Sequence, residues 1–100
     1  MSEVATPVRK PKFRIKKAPK YSVVFHNNEV TTMEEVMYLL IQVFHYTEAQ
    51  SSDKIMEIHT QGKGVIYISS KESCDMKHDE TKTARVFINE KNLIHTVELV

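Results

Sequence analysis

The chain contains a single cysteine, Cys74, so it cannot form an internal disulfide, and a reducing, cytoplasmic setting is expected. No stretch approaches the roughly 20 consecutive apolar residues that a membrane-spanning helix requires. The first residues are basic but lack the apolar segment of a secretory signal. Glycine occurs only at Gly62 and Gly64, and neither belongs to a GxGxxG or Walker phosphate loop. GxSxG, HExxH and CxxC are absent too. Five histidines and one cysteine do not fall at metal-ligand spacing; Cys74 and His78, four apart in a polar stretch, are a weak pair. No catalytic residue, metal or cofactor is expected.

What remains is 100 residues, 41% of them hydrophobic, which fits one small domain with a modest core. Function is then expected in a surface groove rather than a deep cavity. Charge is uneven: residues 1–20 carry seven cations against Glu3, so +6 lies there and −5 on the rest. All three prolines lie in this stretch, which has few apolar residues, so it is expected to be a flexible basic extension. Such an arm suits plain solvation as well as contact with nucleic acid or an acidic protein surface.

From Tyr21 the pattern changes. Tyr21, Val23 and Phe25 alternate with Ser22, Val24 and His26, which predicts a strand with one apolar face; Asn27-Asn28-Glu29 ends it. Thr32-Met33-Glu34-Glu35 is a capping box, followed at helical spacing by Val36, Leu39, Leu40, Val43 and Phe44, so a helix is predicted to about His45. A second box, Thr47-Glu48-Ala49-Gln50, opens a helix to about Thr60, which Gly62 can end in a left-handed conformation. Residues 64–70 are β-branched and aromatic and predict a strand. Lys71 to Asp79 is polar and suggests a loop, and Glu80 to Lys91 a weaker helix with Ala84, Val86, Phe87 and Ile88 as its apolar residues. Leu93 to Leu99 alternates again. The β-α-α-β-α-β order predicts an α+β domain over residues 21–100, a small three-stranded antiparallel sheet with three helices on one face.

Two segments bear on function. His26 to Glu34 places spare amide and acid side chains at a strand-to-helix junction, where plain capping is the ordinary explanation. Ile58-His59-Thr60-Gln61-Gly62-Lys63 ends the second helix, and a lone histidine there ordinarily serves the helix dipole.

Taken together and with their spacing, these segments resemble the ClpS adaptor family. Its pattern is a strand, an asparagine followed by acids, Thr-x-Met-Glu opening a helix, and later His-x-x-Gly-Lys. The matching residues are Asn27, Glu29, Thr31, Met33, Glu34, His59, Gly62 and Lys63. The resemblance extends from about Tyr21 to Val100 and includes Glu80-Thr81-Lys82. It implies a cytoplasmic, monomeric, non-enzymatic adaptor that binds N-terminal segments of substrate proteins and delivers them to the N-terminal domain of a ClpA/ClpC-type unfoldase. By the resemblance, Asn27, Glu29 and His59 would hold the free α-amino group. Thr31, Met33, Val36, Ile55, Ile58 and Leu93 would wall an apolar pocket for a first residue Phe, Tyr, Trp or Leu. Met33 would act as a gate against Val and Ile, and Lys82 would contact the unfoldase. Core packing is the alternative for Val36, Ile55, Ile58 and Leu93.

The chain also departs from the family pattern. Asn28 and Glu29 stand where two aspartates are usual, Thr32 where proline is common, Glu35 where an apolar residue is usual, and Ile55 often where methionine lies. The stretch before Glu80 reads as longer than usual and the helix after it as shorter, and the extension is unusually basic. The alternative function is a protease-docking scaffold or anti-adaptor that has lost N-terminal residue binding. Nucleic-acid binding through Arg9 to Lys20 is not expected. Which first residue is preferred, and which unfoldase is the partner, stay open.

Overall fold

Tyr21–His26 (β1) forms the central strand of the sheet and so is paired along both edges. The computed structural model describes residues 18–100, and its three strands are ordered β2-β1-β3, with β1 antiparallel to both Lys63–Ser69 (β2) and Ile94–Leu99 (β3). Val23 and Phe25 point into the core beneath the helices, as the alternation predicts. Ser22 and Val24 are buried as well, because strands flank β1 on both sides. The basic extension expected over residues 1–20 lies, as far as Lys17, outside the described residues.

In β2, Val23 pairs with Tyr67 but Val24 with Val65, leaving Ile66 as the extra residue of a bulge. Consecutive residues Ile66 and Tyr67 therefore both pack against the helix-side core. The Tyr46 hydroxyl donates to the Ile66 carbonyl at 2.6 Å, satisfying a group that the bulge takes out of the ladder.

Met33–Phe44 (α1) and Glu48–Gln61 (α2) begin with the two capping boxes read from the sequence. Thr32 accepts from the Glu35 amide at 3.1 Å while Glu35 accepts from the Thr32 amide at 2.9 Å. Thr47 and Gln50 repeat the arrangement. Glu35 is thus a capping residue here, with no apolar role to fill. Gly62 ends α2 at φ 89°, a left-handed conformation, with its N–H on the Ile58 carbonyl. Gly64 serves a different purpose: a Cβ there would meet Ile58 Cγ1 at 2.8 Å, so only glycine lets α2 lie this close to β2.

The third helix corrects the sequence reading. It runs Lys71–Phe87 (α3), not from Glu80 to Lys91, so the stretch taken as a loop is its first half. Ser70 caps it by accepting from the Ser73 amide at 3.2 Å, and Lys71–Asp75 and Lys77–Glu80 ion pairs follow at helical spacing. Only Cys74 and Thr81 are fully buried along it, which is why the helix carries so little apolar signal. Val86 and Phe87, expected on its apolar face, are exposed. The helix ends early because Asn89 turns left-handed at φ 58°. The Cys74 thiol sits in the core, where burial raises its pKa, and does not pair with His78.

His95, 7% exposed, faces the core from β3 between Phe25 and His78. Arg85 Nη1 donates to His95 Nε2 at 3.0 Å, which places the ring proton on Nδ1; that atom is buried without a partner among the described residues. His78 Nε2 donates to the His95 carbonyl at 2.9 Å. Burial, reinforced by His78, Arg85 and Lys82 and opposed by Glu90, pushes His95 from the ordinary 6.5 down to about 4.

Two tests follow from this architecture. Ser70→Ala should cost about 1 kcal/mol in urea denaturation through the lost cap; no change would return residues 71–79 to a loop. The unfolded chain protonates His95 near pH 6.5 while the folded chain resists until about 4, so stability should fall as pH drops through that window. Denaturation midpoints for His95→Gln should fall less steeply between pH 6.5 and 5, and parallel curves would contradict the assignment.

Candidate functional site

The end of β1 is joined to the end of α2 by one main-chain bond: the Asn27 N–H donates to the Gly62 carbonyl at 2.9 Å. It brings the Asn27–Thr31 turn alongside the last turn of α2, where His59 lies. The first turn of α1 closes the third side. Between them lies a cleft of about 520 Å³.

Asn27, Glu29 and His59 all line this cleft, and all three are exposed. None of their side chains hydrogen-bonds to another described residue. The lining of the cleft therefore includes an amide oxygen, a carboxylate and an imidazole, each of which can accept a hydrogen bond. Val36, Ile55 and Ile58 form its buried apolar floor, and Met33, 65% exposed, stands at the rim. Thr31 contributes to the wall. Val36, Ile55 and Ile58 each belong to the hydrophobic core and also line the cleft.

Leu93 does not line the cleft itself. It is buried and lines a small void of about 20 Å³ with Asn27, Asn28, Thr31, Val36 and Ile58, all of which also line the cleft, and it precedes β3 rather than starting it. Lys82 lies on the exposed part of α3 and does not line the cleft. Met56, which sequence reasoning did not place here, lines the cleft and is 58% exposed.

Asn28 has a structural task. Its Oδ1 accepts from the Val30 and Thr31 amides, both at 2.8 Å, while its Nδ2 donates to Thr31 Oγ1 at 2.9 Å and the Asn92 carbonyl at 3.3 Å. An aspartate could make the first two contacts but not the last two. Glu29 is left as the carboxylate of the turn that faces the cleft.

Behind the turn lies a buried acid that composition could not reveal. Glu90 accepts from Thr31 Oγ1 at 2.9 Å, Arg85 Nε at 3.1 Å, and the amides of Asn92 at 2.9 Å and Leu93 at 3.0 Å. Burial alone would raise its pKa, yet the Leu93 and Asn92 amides, the Thr31 hydroxyl and the Arg85 guanidinium together hold it below the usual carboxylate range.

A second, more open groove of about 580 Å³ runs between α1 and α3, with Tyr38, Gln42 and Phe87 among its walls. Among the described residues, no group of three or more His, Cys, Asp or Glu side chains is placed to hold a metal ion. Nor is any helix among them long and apolar enough to cross a membrane.

Known proteins resemble this chain in sequence and in fold. The family described as ATP-dependent Clp protease adaptor protein ClpS matches residues 16–89. Similar proteins include ATP-dependent Clp protease adapter proteins ClpS from Acetivibrio thermocellus and Methylococcus capsulatus. The first is 36% identical over 66% of this chain and 67% of that protein. The second is 29% identical over 85% of this chain and 79% of that protein. Among solved structures, Agrobacterium tumefaciens ClpS2 bound to L-phenylalaninamide has the same fold, with a TM-score of 0.77 and 23% identity over 84% of this chain and all of that one. The capped turn, the helix-end histidine and the β-α-α-β-α-β order thus have one common explanation: this chain belongs to the ClpS family of Clp protease adaptors.

Proposed function

We propose that this chain is an N-degron adaptor: its cleft takes the free α-amino group and bulky first side chain of a substrate protein for delivery to a Clp unfoldase. The observation that carries this reading is the shared cleft, where Asn27, Glu29 and His59 stand beside the Met33, Val36, Ile55 and Ile58 surface. The fold relative bound to L-phenylalaninamide holds a molecule with both features, a free amine and a benzyl side chain.

A peptide α-amino group has a pKa of about 7.7–8.0, so near neutral pH it is mainly an ammonium with three N–H donors. Taking it out of water requires three acceptors in return. Asn27 Oδ1, a Glu29 carboxylate oxygen and an unprotonated His59 ring nitrogen supply that number. With Asn28 committed to the turn, Glu29 provides the countercharge.

The first side chain would lie on Val36, Ile55 and Ile58, which contributes roughly 1.5–3 kcal/mol for a fully buried Leu or Phe. Hydrogen bonds to charged groups add about 1.5–3 kcal/mol each. After association costs of at least about 4 kcal/mol, only the upper end of these contributions reaches the micromolar range. Met33 at the rim crowds a branched Cβ but lets an unbranched one pass, so N-terminal Phe, Tyr, Trp and Leu are the expected ligands.

Delivery uses a surface distinct from the cleft. The exposed side of α3, including Lys82, is the proposed contact for the N-terminal domain of a ClpA/ClpC-type unfoldase, with the adaptor acting as a cytoplasmic monomer.

Fluorescence titration with peptides beginning Phe or Leu should give saturable binding that acetylation of the amino group abolishes. Equal affinity for both forms would refute the mechanism. A chain that binds neither peptide yet captures the unfoldase domain would instead be a docking scaffold. Asn27→Ala and His59→Ala should each weaken binding by at least about 1 kcal/mol, roughly fivefold. Met33→Ala should improve binding of N-terminal Val and Ile relative to Phe, and an unchanged ratio would remove Met33 from the gate.

A further inference from the structure

The Glu90 side chain is 1% exposed, does not line the cleft, and binds three separate segments to one another. One is the end of α3, through Arg85; another is the approach to β3, through the amides of Asn92 and Leu93; the third is the Asn27–Thr31 turn, through the Thr31 hydroxyl. A carboxylate this buried is costly unless its lone pairs are satisfied, and here every donor is supplied. From the turn, the chain of bonds runs from the Asn28 amide to the Thr31 hydroxyl and on to the Glu90 carboxylate. Asn28 also reaches the carbonyl of Asn92, whose amide is itself on Glu90. The turn that presents Asn27 and Glu29 is therefore fastened from behind at two adjacent points, and both converge on Glu90.

We infer that Glu90 is a positioning residue for the cleft: through Thr31 and Asn92 it fixes the turn that aims Asn27 and Glu29 at a bound amino group. This rests on the reading of the cleft as an amino-group site. The carboxylate suits the task because it only accepts, and all four of its partners donate. A glutamine of the same shape would keep one acceptor oxygen and turn an NH₂ toward donors, which breaks the fastening on one side. The bonds in this relay polarise one another, so removing one weakens its neighbours.

The test is Glu90→Gln, with Thr31→Val and the double variant, in peptide titration and amide hydrogen exchange. E90Q should weaken binding of a Phe-peptide about tenfold and speed exchange at Val30 and Thr31, whose amides lie on Asn28 Oδ1. The double variant should bind no worse than the weaker single one, because both changes cut the same link. A lower melting temperature with unchanged affinity and unchanged turn exchange would show that Glu90 is merely structural and overturn the inference. Additive losses in the double variant would also overturn it. If E90Q does not fold, T31V decides through the same exchange measurement: slow turn amides would refute the link. If the parent chain binds no peptide at all, the amino-group reading falls, while turn exchange in E90Q still decides whether Glu90 holds the turn.

Discussion

A single main-chain hydrogen bond, from the Asn27 N–H to the Gly62 carbonyl, sets the geometry on which the cleft depends. It extends the β1–β2 ladder by one step beyond the His26–Lys63 pair and ties the start of the turn to the end of α2. Two glycines make that meeting possible. Gly62 takes the left-handed conformation that stops the helix, and Gly64 lets the helix lie against the sheet. Were either segment displaced, Asn27 and His59 would face different solvent-filled spaces and the acceptors would no longer share a cleft.

The polar groups around the cleft divide into two sets. Asn28, Thr31, Glu90 and Arg85 spend their hydrogen bonds on one another and on the main chain, and so stiffen the turn. Asn27, Glu29 and His59 make no side-chain hydrogen bond among the described residues and remain available. Available acceptors held by a satisfied scaffold are the economical way to bind a cation, because little ordering remains to be done when it arrives. The apolar floor follows the same logic: Val36, Ile55 and Ile58 are fixed in the core, while Met33 and Met56 stand exposed and adaptable at its edges.

Much of this was legible in the sequence because it is encoded locally. The alternation of β1, the Thr32–Glu35 and Thr47–Gln50 boxes and the Gly62 stop each lie within a few consecutive residues and match the structure. The first half of α3 was not legible, since Lys71 to Asp79 buries only Cys74 and its helix is set by the Ser70 cap and ion pairs rather than by an apolar stripe. Leu93, assigned to the pocket wall by the resemblance, is buried and shares a small void with Asn27, Thr31, Val36 and Ile58, a depth that the sequence does not express. Glu90 was invisible for another reason: one of its partners, Thr31, is 59 residues away, and no local pattern distinguishes a satisfied buried acid from an exposed one.

The central claim is that the ligand is recognised as a cation. Its most direct test is the affinity for a Phe-peptide measured by calorimetry from pH 7 to pH 9.5. If the ammonium form is what binds, affinity should fall above the amine pKa of about 8 and be weaker by roughly thirtyfold at pH 9.5. Affinity that stays level across that range would contradict the account.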